Sequence, residues 1–404
     1  MIKRLTFILL SFFCIINAQI ALPTFQAVHK PHNITSSSTV GPVIAGRWAQ
    51  MGAILANGTV KFWGRNTYGQ LGQGNTTQIG DNSNEMGDNL SAIDLGSGRT
   101  ATAIASGYFT AMAILDNGTV KAWGWGRWGA LGQGNTNNIG NEADEMGDNL
   151  SAIDLGTGRT AIGINAGYYF AGAVLDNGTV KVWGRNTYGQ CGQGHTNNIG
   201  DGADEMGDNL SAVDLGTGRT ATAIATGAYH TVVLLDNGTV KAWGYNPYGQ
   251  CGQGHTNNIG DGADEMGDNL SAVDLGTGRT ATAIAAGAFF TVALLDNGTV
   301  KAWGQNSRGQ LGQGNTTQIG DGGNEMGDNL SAIDLGTGRT ATAIACGYYN
   351  SIVRLDDGTI KVWGDGRHGQ LGQGNTNNIG DGSNEMGDNL SPIDLSSSSD
   401  ATLE

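Results

Sequence analysis

A fixed repeat of 60 residues constrains the fold of this chain more than any other feature. Tryptophans recur at that spacing at Trp63, Trp123, Trp183, Trp243, Trp303 and Trp363. Without a slip in register, the chain divides into the copies 41–100, 101–160, 161–220, 221–280, 281–340 and 341–400. Units of such an array bury their apolar faces against their neighbours, so we predict one domain built from six stacked repeats.

Each repeat contains a strong hairpin signal just before its tryptophan. In the fifth copy, Asn297-Gly298 separates two apolar runs, and the last copy has Asp357-Gly358 at this place. Both dipeptides favour a tight turn, and a type I′ turn with φ above zero at its two central residues is the expectation. The tryptophan that closes each hairpin is expected to pack between repeats, because aromatic side chains dominate core burial.

The remainder of each copy predicts three strands besides the return strand of the hairpin. In the fifth copy, 282–285 is a run of small residues suited to a crowded inner edge, and 289–295 is almost continuously apolar. After a loop rich in Gly, Asn and Asp, 330–335 alternates between apolar and polar residues. Four strands per repeat, with the hairpin return included, predict an all-β propeller.

The chain begins with a pattern typical of a secretory signal peptide. Lys3 and Arg4 precede an apolar run of about a dozen residues, shorter than the roughly 20 that span a bilayer, and Ala18 follows. We therefore predict a signal peptide at 1–18, a leader at 19–40, a tail at 401–404 and no stable membrane insertion after cleavage. An extracellular or cell-surface location is the corresponding expectation.

Several motifs resemble the repeat of the regulator of chromosome condensation family. They are Trp243-Gly244, the segment 235–240 (Leu-Asp-Asn-Gly-Thr-Val) and the segment 309–314 (Gly-Gln-Leu-Gly-Gln-Gly), and the resemblance covers all six copies. It implies a propeller, usually with seven blades. Six copies therefore leave open a six-bladed ring, an incomplete seven-bladed ring, or an array cut short at its C-terminus.

Catalysis, cofactors and metals are all disfavoured by the sequence. An active site needs unlike groups that converge on one point, which nearly identical loops do not readily supply. The acidic loop 200–209 carries several oxygen ligands, but its spacing does not match a calcium loop, and the histidines show no zinc-binding spacing. We expect no enzyme activity, no cofactor and no metal site.

The charge of the chain limits its partners. The formal net charge is −15, without a basic stripe of the kind that binds phosphates, so nucleic acid is not expected as a partner. The founding activity of the family, nucleotide exchange on a small nuclear GTPase, fits poorly with a signal peptide and this charge. We expect a monomer that binds another protein.

The loop that follows each Trp-Gly pair varies between copies while its neighbours stay constant. Tyr, Trp, Arg and His alternate there, the residue types that dominate interface hot spots, although loops also vary by neutral drift. The predicted binding residues are Arg65, Tyr68, Trp125, Arg127, Trp128, Arg185, Tyr188, Tyr245, Tyr248, Arg308, Arg367 and His368. Trp125 and Trp128 are the predicted anchors.

The main functional hypothesis is thus a secreted or cell-surface binding module that uses one loop-bearing face of the propeller. Two alternatives stay open. One is an exchange-factor or scaffold role of the intracellular family type, which requires that 1–18 is not a signal peptide. The other is a repetitive surface or matrix protein with weak calcium-dependent association.

Overall fold

A computed structural model describes residues 43–47 and 49–394 as six antiparallel sheets, one for each repeat. Each sheet is a meander of three strands in chain order. The predicted signal peptide, leader and tail lie outside the described residues. The all-β, propeller-like architecture expected from the repeat is confirmed.

The strands recur with the period of the sequence. The first strands are β1 (Val43–Arg47), β4 (Ala101–Ser106), β7 (Ala161–Ala166), β10 (Ala221–Thr226), β13 (Ala281–Ala286) and β16 (Ala341–Cys346). The middle strands are β2 (Gln50–Ile54), β5 (Thr110–Leu115), β8 (Phe170–Leu175), β11 (His230–Leu235), β14 (Phe290–Leu295) and β17 (Asn350–Leu355). The third strands are β3 (Val60–Gly64), β6 (Val120–Gly124), β9 (Val180–Gly184), β12 (Val240–Gly244), β15 (Val300–Gly304) and β18 (Ile360–Gly364). Short 3-10 turns span Gly87–Asn89, Arg127–Gly129, Gly147–Asn149, Gly207–Asn209, Gly267–Asn269, Gly327–Asn329 and Gly387–Asn389.

The predicted hairpin joins the middle and third strands, but its turn is of another type. Gly298 has φ +77°, whereas Asn297 does not have positive φ, and Gly298 N–H donates to Leu295 O at 3.0 Å. This is a three-residue loop that ends on a left-handed glycine, so the type I′ expectation is wrong. Asn297 Oδ1 instead accepts hydrogen bonds from Thr299, and Asp357 Oδ1 does the same for Thr359. Asp and Asn both provide that oxygen, which explains why either residue serves here.

The predicted fourth strand does not form a strand in any of the described sheets. In the fifth repeat, 330–335 makes one ladder-like bond, from Ile333 N–H to Val300 O at 2.8 Å. The other end of β15 forms an isolated bridge between Gly304 and Ile319. The outer edge of each sheet is therefore covered at its two ends by separate loop segments, because the long loop crosses that edge without running along it.

The repeats pack through the tryptophans, as predicted. Trp303 is fully buried, and its Nε1 donates to Gln250 O of the preceding repeat at 3.1 Å. Trp123, Trp243 and Trp363 make the same bond to the preceding repeat. The first strands of successive repeats also contact each other, which accounts for their small residues.

A polar clasp joins the same pairs of repeats near the outer edge. Lys301 Nζ donates to Leu275 O of the preceding repeat at 3.0 Å and to Gly327 O at 2.7 Å. Asp328 accepts hydrogen bonds from the backbone and hydroxyl of Thr277, which lower the pKa of its carboxyl. Equivalent clasps recur along the array, so each blade is tied to its neighbour by buried Trp and by charge-assisted hydrogen bonds.

Among the described residues, the first and the last repeat each lack the packing contact with a further repeat on their outer side. A Cβ added at Gly309 would lie 2.3 Å from Asp381 N of the next repeat, whereas one at Gly369 would meet nothing within 4 Å. At the other end, Trp63 is only half-buried, while Trp123 is fully buried. Closure as six blades or as an incomplete seven-bladed ring stays a prediction.

Candidate functional site

Two loops of each repeat meet at one end of its sheet. The third strand pairs antiparallel with the middle strand, with Gly124 opposite Thr110 in the second repeat. The residue after Trp-Gly therefore lies beside the residue before the middle strand, and Trp125 N–H donates to Phe109 O at 2.9 Å. Arg185 makes the same bond to Tyr169 O, and Tyr245 to Tyr229 O. This register brings two variable positions of each repeat to one surface.

Aromatic side chains from these loops form a continuous network, here called the aromatic face. Tyr68 stacks on Trp125 with ring centroids 4.4 Å apart and an interplanar angle of 3°. Tyr188 lies 4.7 Å from Tyr245 in the following repeat. The aromatic face consists of Tyr68, Tyr108, Phe109, Trp125, Trp128, Tyr168, Tyr169, Tyr188, Tyr229, Tyr245, Tyr248 and Phe289. Except for the buried Phe109, these residues are neither fully buried nor fully exposed.

Three arginines lie over rings of the aromatic face. The Arg65 guanidinium is 5.0 Å from the centroid of Phe109, and that of Arg127 is 4.1 Å from Trp128. Arg185 is 5.0 Å from Trp128 and 5.2 Å from Tyr229, so it joins rings of two repeats. Cation–π contacts of this kind hold a guanidinium in a defined plane.

The loop of the second repeat departs from the pattern of the others. In other copies a buried Gln fixes this loop: Gln190 Oε1 accepts the N–H of Tyr188 at 2.9 Å, and Gln250 Oε1 that of Tyr248 at 3.0 Å. The second copy has Ala130 instead, and Trp128 adopts φ +60° within a 3-10 turn. The next tryptophan, Trp183, leaves its buried Nε1 without a hydrogen-bond partner. The loop of the second repeat and the contact of the next tryptophan thus both depart from the common pattern at the place where Ala130 replaces Gln.

Backbone strain concentrates on the aromatic face. Tyr169 has φ +142°, and its ring lies 4.7 Å from that of Trp128. The other non-glycine residues with positive φ among those described are Asn or Asp at one fixed place in each repeat. Trp128 and Tyr169 are therefore the two that break the period, and strained backbone that persists in this way is typical of functional sites.

Tyrosines also lie close together where the loops between the first and middle strands of different repeats converge. Tyr108, Tyr168 and Tyr348 line a small cavity together with Gly167, Ala228 and Ala288. Backbone bonds link these positions from one repeat to the next, as from Ala288 N–H to Tyr348 O at 2.9 Å. Burial raises the pKa of Tyr168 to about 12 and raises the pKa of the Tyr348 hydroxyl further. These phenols are neutral at ordinary pH, so the centre of this surface carries hydroxyls and no charge.

The predicted site residues divide into two groups. Tyr68, Trp125, Trp128, Tyr188, Tyr245 and Tyr248 belong to the aromatic face, and Arg65, Arg127 and Arg185 lie over it. Arg308, Arg367 and His368 make no ring or cation–π contact with it: Arg367 pairs with Asp365 at 2.8 Å, Arg308 is half-buried, and His368 is exposed. The last two repeats therefore contribute loops of a different character.

Sequence reasoning missed half of the aromatic face. The residues missed precede the middle strands: Tyr108, Phe109, Tyr168, Tyr169, Tyr229 and Phe289. The apolar run that contains Phe289 predicts only a buried strand. The predicted hairpin is the feature of the sequence from which these residues could have been assigned to the site. Antiparallel pairing places the start of a middle strand beside the end of the third strand, and hence beside the loop after Trp-Gly.

Within residues 49–394, no group of three His, Cys, Asp or Glu side chains is arranged to hold a metal ion. Cys191 and Cys251 are fully buried and not in disulfides, as expected for small apolar side chains, and burial raises the pKa of both thiols. No helix in the described part of the chain is long and apolar enough to cross a membrane.

Comparison with known proteins agrees with the repeat and the fold. The profile of the Regulator of chromosome condensation (RCC1) repeat matches residues 101–129, 161–190, 221–250, 281–310 and 341–370. The E3 ubiquitin-protein ligase HERC2 of Homo sapiens is 26% identical over 353 residues, which are 87% of this chain and 7% of that protein. The Ultraviolet-B receptor UVR8 of Arabidopsis thaliana is 27% identical over 328 residues, 80% of this chain and 64% of that protein. The chain thus spans less than two thirds of the length of these relatives.

Solved structures show the same fold at low identity. Yeast RCC1 (Prp20), solved with Kap60 bound, superposes with a TM-score of 0.66 at 18% identity, covering 88% of this chain and 75% of that one. Human WBSCR16 superposes with a TM-score of 0.60 at 17% identity, covering 90% of both chains. The repeat matches, the sheet order and these superpositions agree: the chain contains RCC1 repeats and has an RCC1-like propeller fold.

Proposed function

We propose that this protein is a non-catalytic module, secreted or at the cell surface, that binds another protein through the aromatic face. The observation that carries the proposal is the meeting of Trp128 and Tyr169, two residues with non-periodic positive φ, inside a network of half-exposed rings. A structural role in the fold would repeat in every copy, whereas this cluster is centred on the second and third repeats. Large half-exposed aromatic patches are typical of protein interfaces.

Two further observations support a protein partner. The rings belong to stiff side chains with two rotatable bonds, which provide contact area at a low cost in entropy. Proteins with this fold bind other proteins: one solved structure has Kap60 bound to yeast RCC1 (Prp20), and another was reported with the binding of yeast Prp20p to Gsp1p and histones. The ligase and receptor activities in the names of HERC2 and UVR8 belong to longer proteins and are not assigned to this chain.

The experiment compares the parent with the double variant Trp125→Ala/Trp128→Ala. Both proteins are used to capture partners from the extracellular fraction, and affinities are then measured with the purified partner. We expect the double variant to fold and to lose at least roughly 2 kcal/mol of binding free energy, the usual hot-spot threshold. The matched control is Arg308→Ala/His368→Ala, in the equivalent loops of the last two repeats, which should bind as the parent does. Equal binding by the Trp125→Ala/Trp128→Ala protein would refute the proposed site.

The proposed location is tested separately by sequencing the N-terminus of the native protein. The pattern of Lys3, Arg4, an apolar run and Ala18 supports cleavage after Ala18, so the mature chain is expected to begin at Gln19. Retention of Met1 would contradict secretion and would favour the intracellular scaffold or exchange-factor alternative.

A further inference from the structure

We propose that the aromatic face binds a partner segment that carries carboxylates next to apolar side chains, with Arg65, Arg127 and Arg185 as the carboxylate-binding residues. The inference rests on the proposed protein-binding function and names the chemistry of the partner. These three arginines differ from those that recur at one fixed place of the repeats, Arg99, Arg159, Arg219, Arg279 and Arg339.

The arginines that recur in the repeats are paired with aspartates of the same protein. Arg99, Arg219 and Arg339 lie 3.2 to 3.4 Å from Asp116, Asp236 and Asp356. By contrast, none of the carboxylates in the described residues lies within ion-pair distance of Arg65, Arg127 or Arg185. In a chain with a net charge of −15, three cations over rings of one aromatic network, none of them with a carboxylate partner among the described residues, are a local excess of positive charge.

Neighbouring groups restrict the orientation of these guanidinium groups before an anion binds. Arg65 Nε donates to Thr67 Oγ1 at 3.0 Å, and Arg185 Nε donates to Thr187 Oγ1 at 3.1 Å. The guanidinium planes of Arg65 and Arg185 are thus held by a hydroxyl at Nε and by an aromatic ring on their faces, whereas that of Arg127 is held by aromatic rings, of which Trp128 is the nearer. Little rotational freedom is therefore lost when a ligand binds. A planar fork in this state matches a carboxylate better than a freely rotating ammonium group does.

The negative net charge of the protein favours a short segment with a few carboxylates over a polyanion. At physiological salt, charges are screened over about 8 Å, so a short segment with one or a few carboxylates interacts mainly with the local arginines. A polyanion such as nucleic acid also meets the acidic remainder of the surface and needs long basic stripes. The rings around the arginines require apolar side chains next to the carboxylates, because buried aromatic surface contributes most of the affinity of such an interface.

The test uses a displayed library of short linear peptides selected on the full chain. We expect the selected peptides to contain Asp or Glu next to aromatic or aliphatic residues. Against a synthetic selected peptide, Arg185→Gln should weaken binding about tenfold or more, and replacing the peptide carboxylate by its amide should do the same. The two changes together should cost little more than either alone.

The variants are chosen so that folding is preserved. Gln305 occupies the position of Arg185 in the fifth repeat, so Arg185→Gln installs a side chain that this loop already tolerates. Arg185→Lys keeps the charge but not the planar fork, and an intermediate loss is expected. The control is Arg354→Gln, at an exposed position on β17, which should leave binding unchanged.

The possible results separate the two proposals. If Trp125→Ala/Trp128→Ala abolishes binding while Arg185→Gln and the amide peptide bind as well as the parents, the carboxylate assignment is wrong and the aromatic face stands. If no selected peptide depends on Trp125 and Trp128, both proposals fail. If analytical ultracentrifugation shows self-association that Arg185→Gln abolishes, the occupant is a second copy of this chain, which overturns a foreign partner.

Discussion

Replacing Ala130 by Gln should return the loop of the second repeat that carries Trp125 and Trp128 to the conformation of this loop in the other repeats. In the other repeats a Gln at this place accepts the N–H of the residue two positions earlier, as Gln310 does for Arg308 at 2.8 Å. Ala130 has no such acceptor, and Trp128 takes the left-handed region at φ +60°. The introduced side chain should therefore draw Trp128 back to negative φ and reorient its ring.

The magnitude follows from the contacts that change. Relief of the left-handed conformation is worth about 1–2 kcal/mol, and the new hydrogen bond about 1 kcal/mol. Against this, Trp128 loses its ring contacts with Tyr169 and Trp125, at centroid distances of 4.7 and 5.9 Å, worth about 0.5 kcal/mol each for these half-exposed rings, or about 1 kcal/mol together. The free energy of unfolding should rise by about 1 kcal/mol, while affinity for the partner falls.

Equilibrium urea denaturation measures the first effect, and titration with the partner or a selected peptide measures the second. Gln250→Ala is the reciprocal control, because it removes the acceptor for Tyr248 N–H and should lower stability by about 1 kcal/mol. An Ala130→Gln protein that is less stable than the parent would refute the strain argument. One that is more stable but binds equally well would show that the orientation of Trp128 does not contribute to binding.

Three further predictions concern packing, calcium and acid. Trp303→Ala should cost roughly 3–5 kcal/mol in urea denaturation, whereas Trp63→Ala, at a half-buried tryptophan in the first repeat, should cost less; equal costs would argue against packing between repeats. Millimolar calcium should leave the melting temperature almost unchanged, since a ligand stabilises only by binding the native state, and a large rise would favour the matrix-protein alternative. Hydrogen bonds from Thr157, Thr217 and Thr277 lower the pKa values of Asp208, Asp268 and Asp328 in the folded state. Their contribution to stability is therefore complete above the ordinary aspartate pKa of about 4 and is lost as the pH falls through the lower folded values. Thermal melts between neutral and acidic pH should show this loss, and Asp268→Asn should reduce it; a melting temperature independent of pH in this range would contradict the role of the clasps.

The sequence predicts the structure best where one local pattern of residues repeats in every copy. The dipeptides Asn297-Gly298 and Asp357-Gly358 predicted a hairpin because few residues accept the backbone of such a turn, and Gly298 has the positive φ that it requires. The predicted turn type is wrong because Thr299 donates hydrogen bonds to Asn297 Oδ1, a local side-chain contact that the preference of the Asn-Gly dipeptide does not include. The fourth strand is not confirmed, because alternation along 330–335 reflects burial on one side and not ladder pairing.

The sequence by itself determined the repeat, the hairpin and the buried tryptophan, since each depends on residues close together in one copy. Only the tertiary structure decided which side chains meet across copies. Trp128 and Tyr169 lie 41 positions apart in the chain but 4.7 Å apart in space, because the loops of adjacent blades converge on one face. Arg185 reaches Trp128 in the same way, across the boundary between the second and third repeats. The angle between neighbouring blades arises from packing of all the strands and tryptophans together, so no local pattern in the sequence encodes which side chains of different repeats meet on that face.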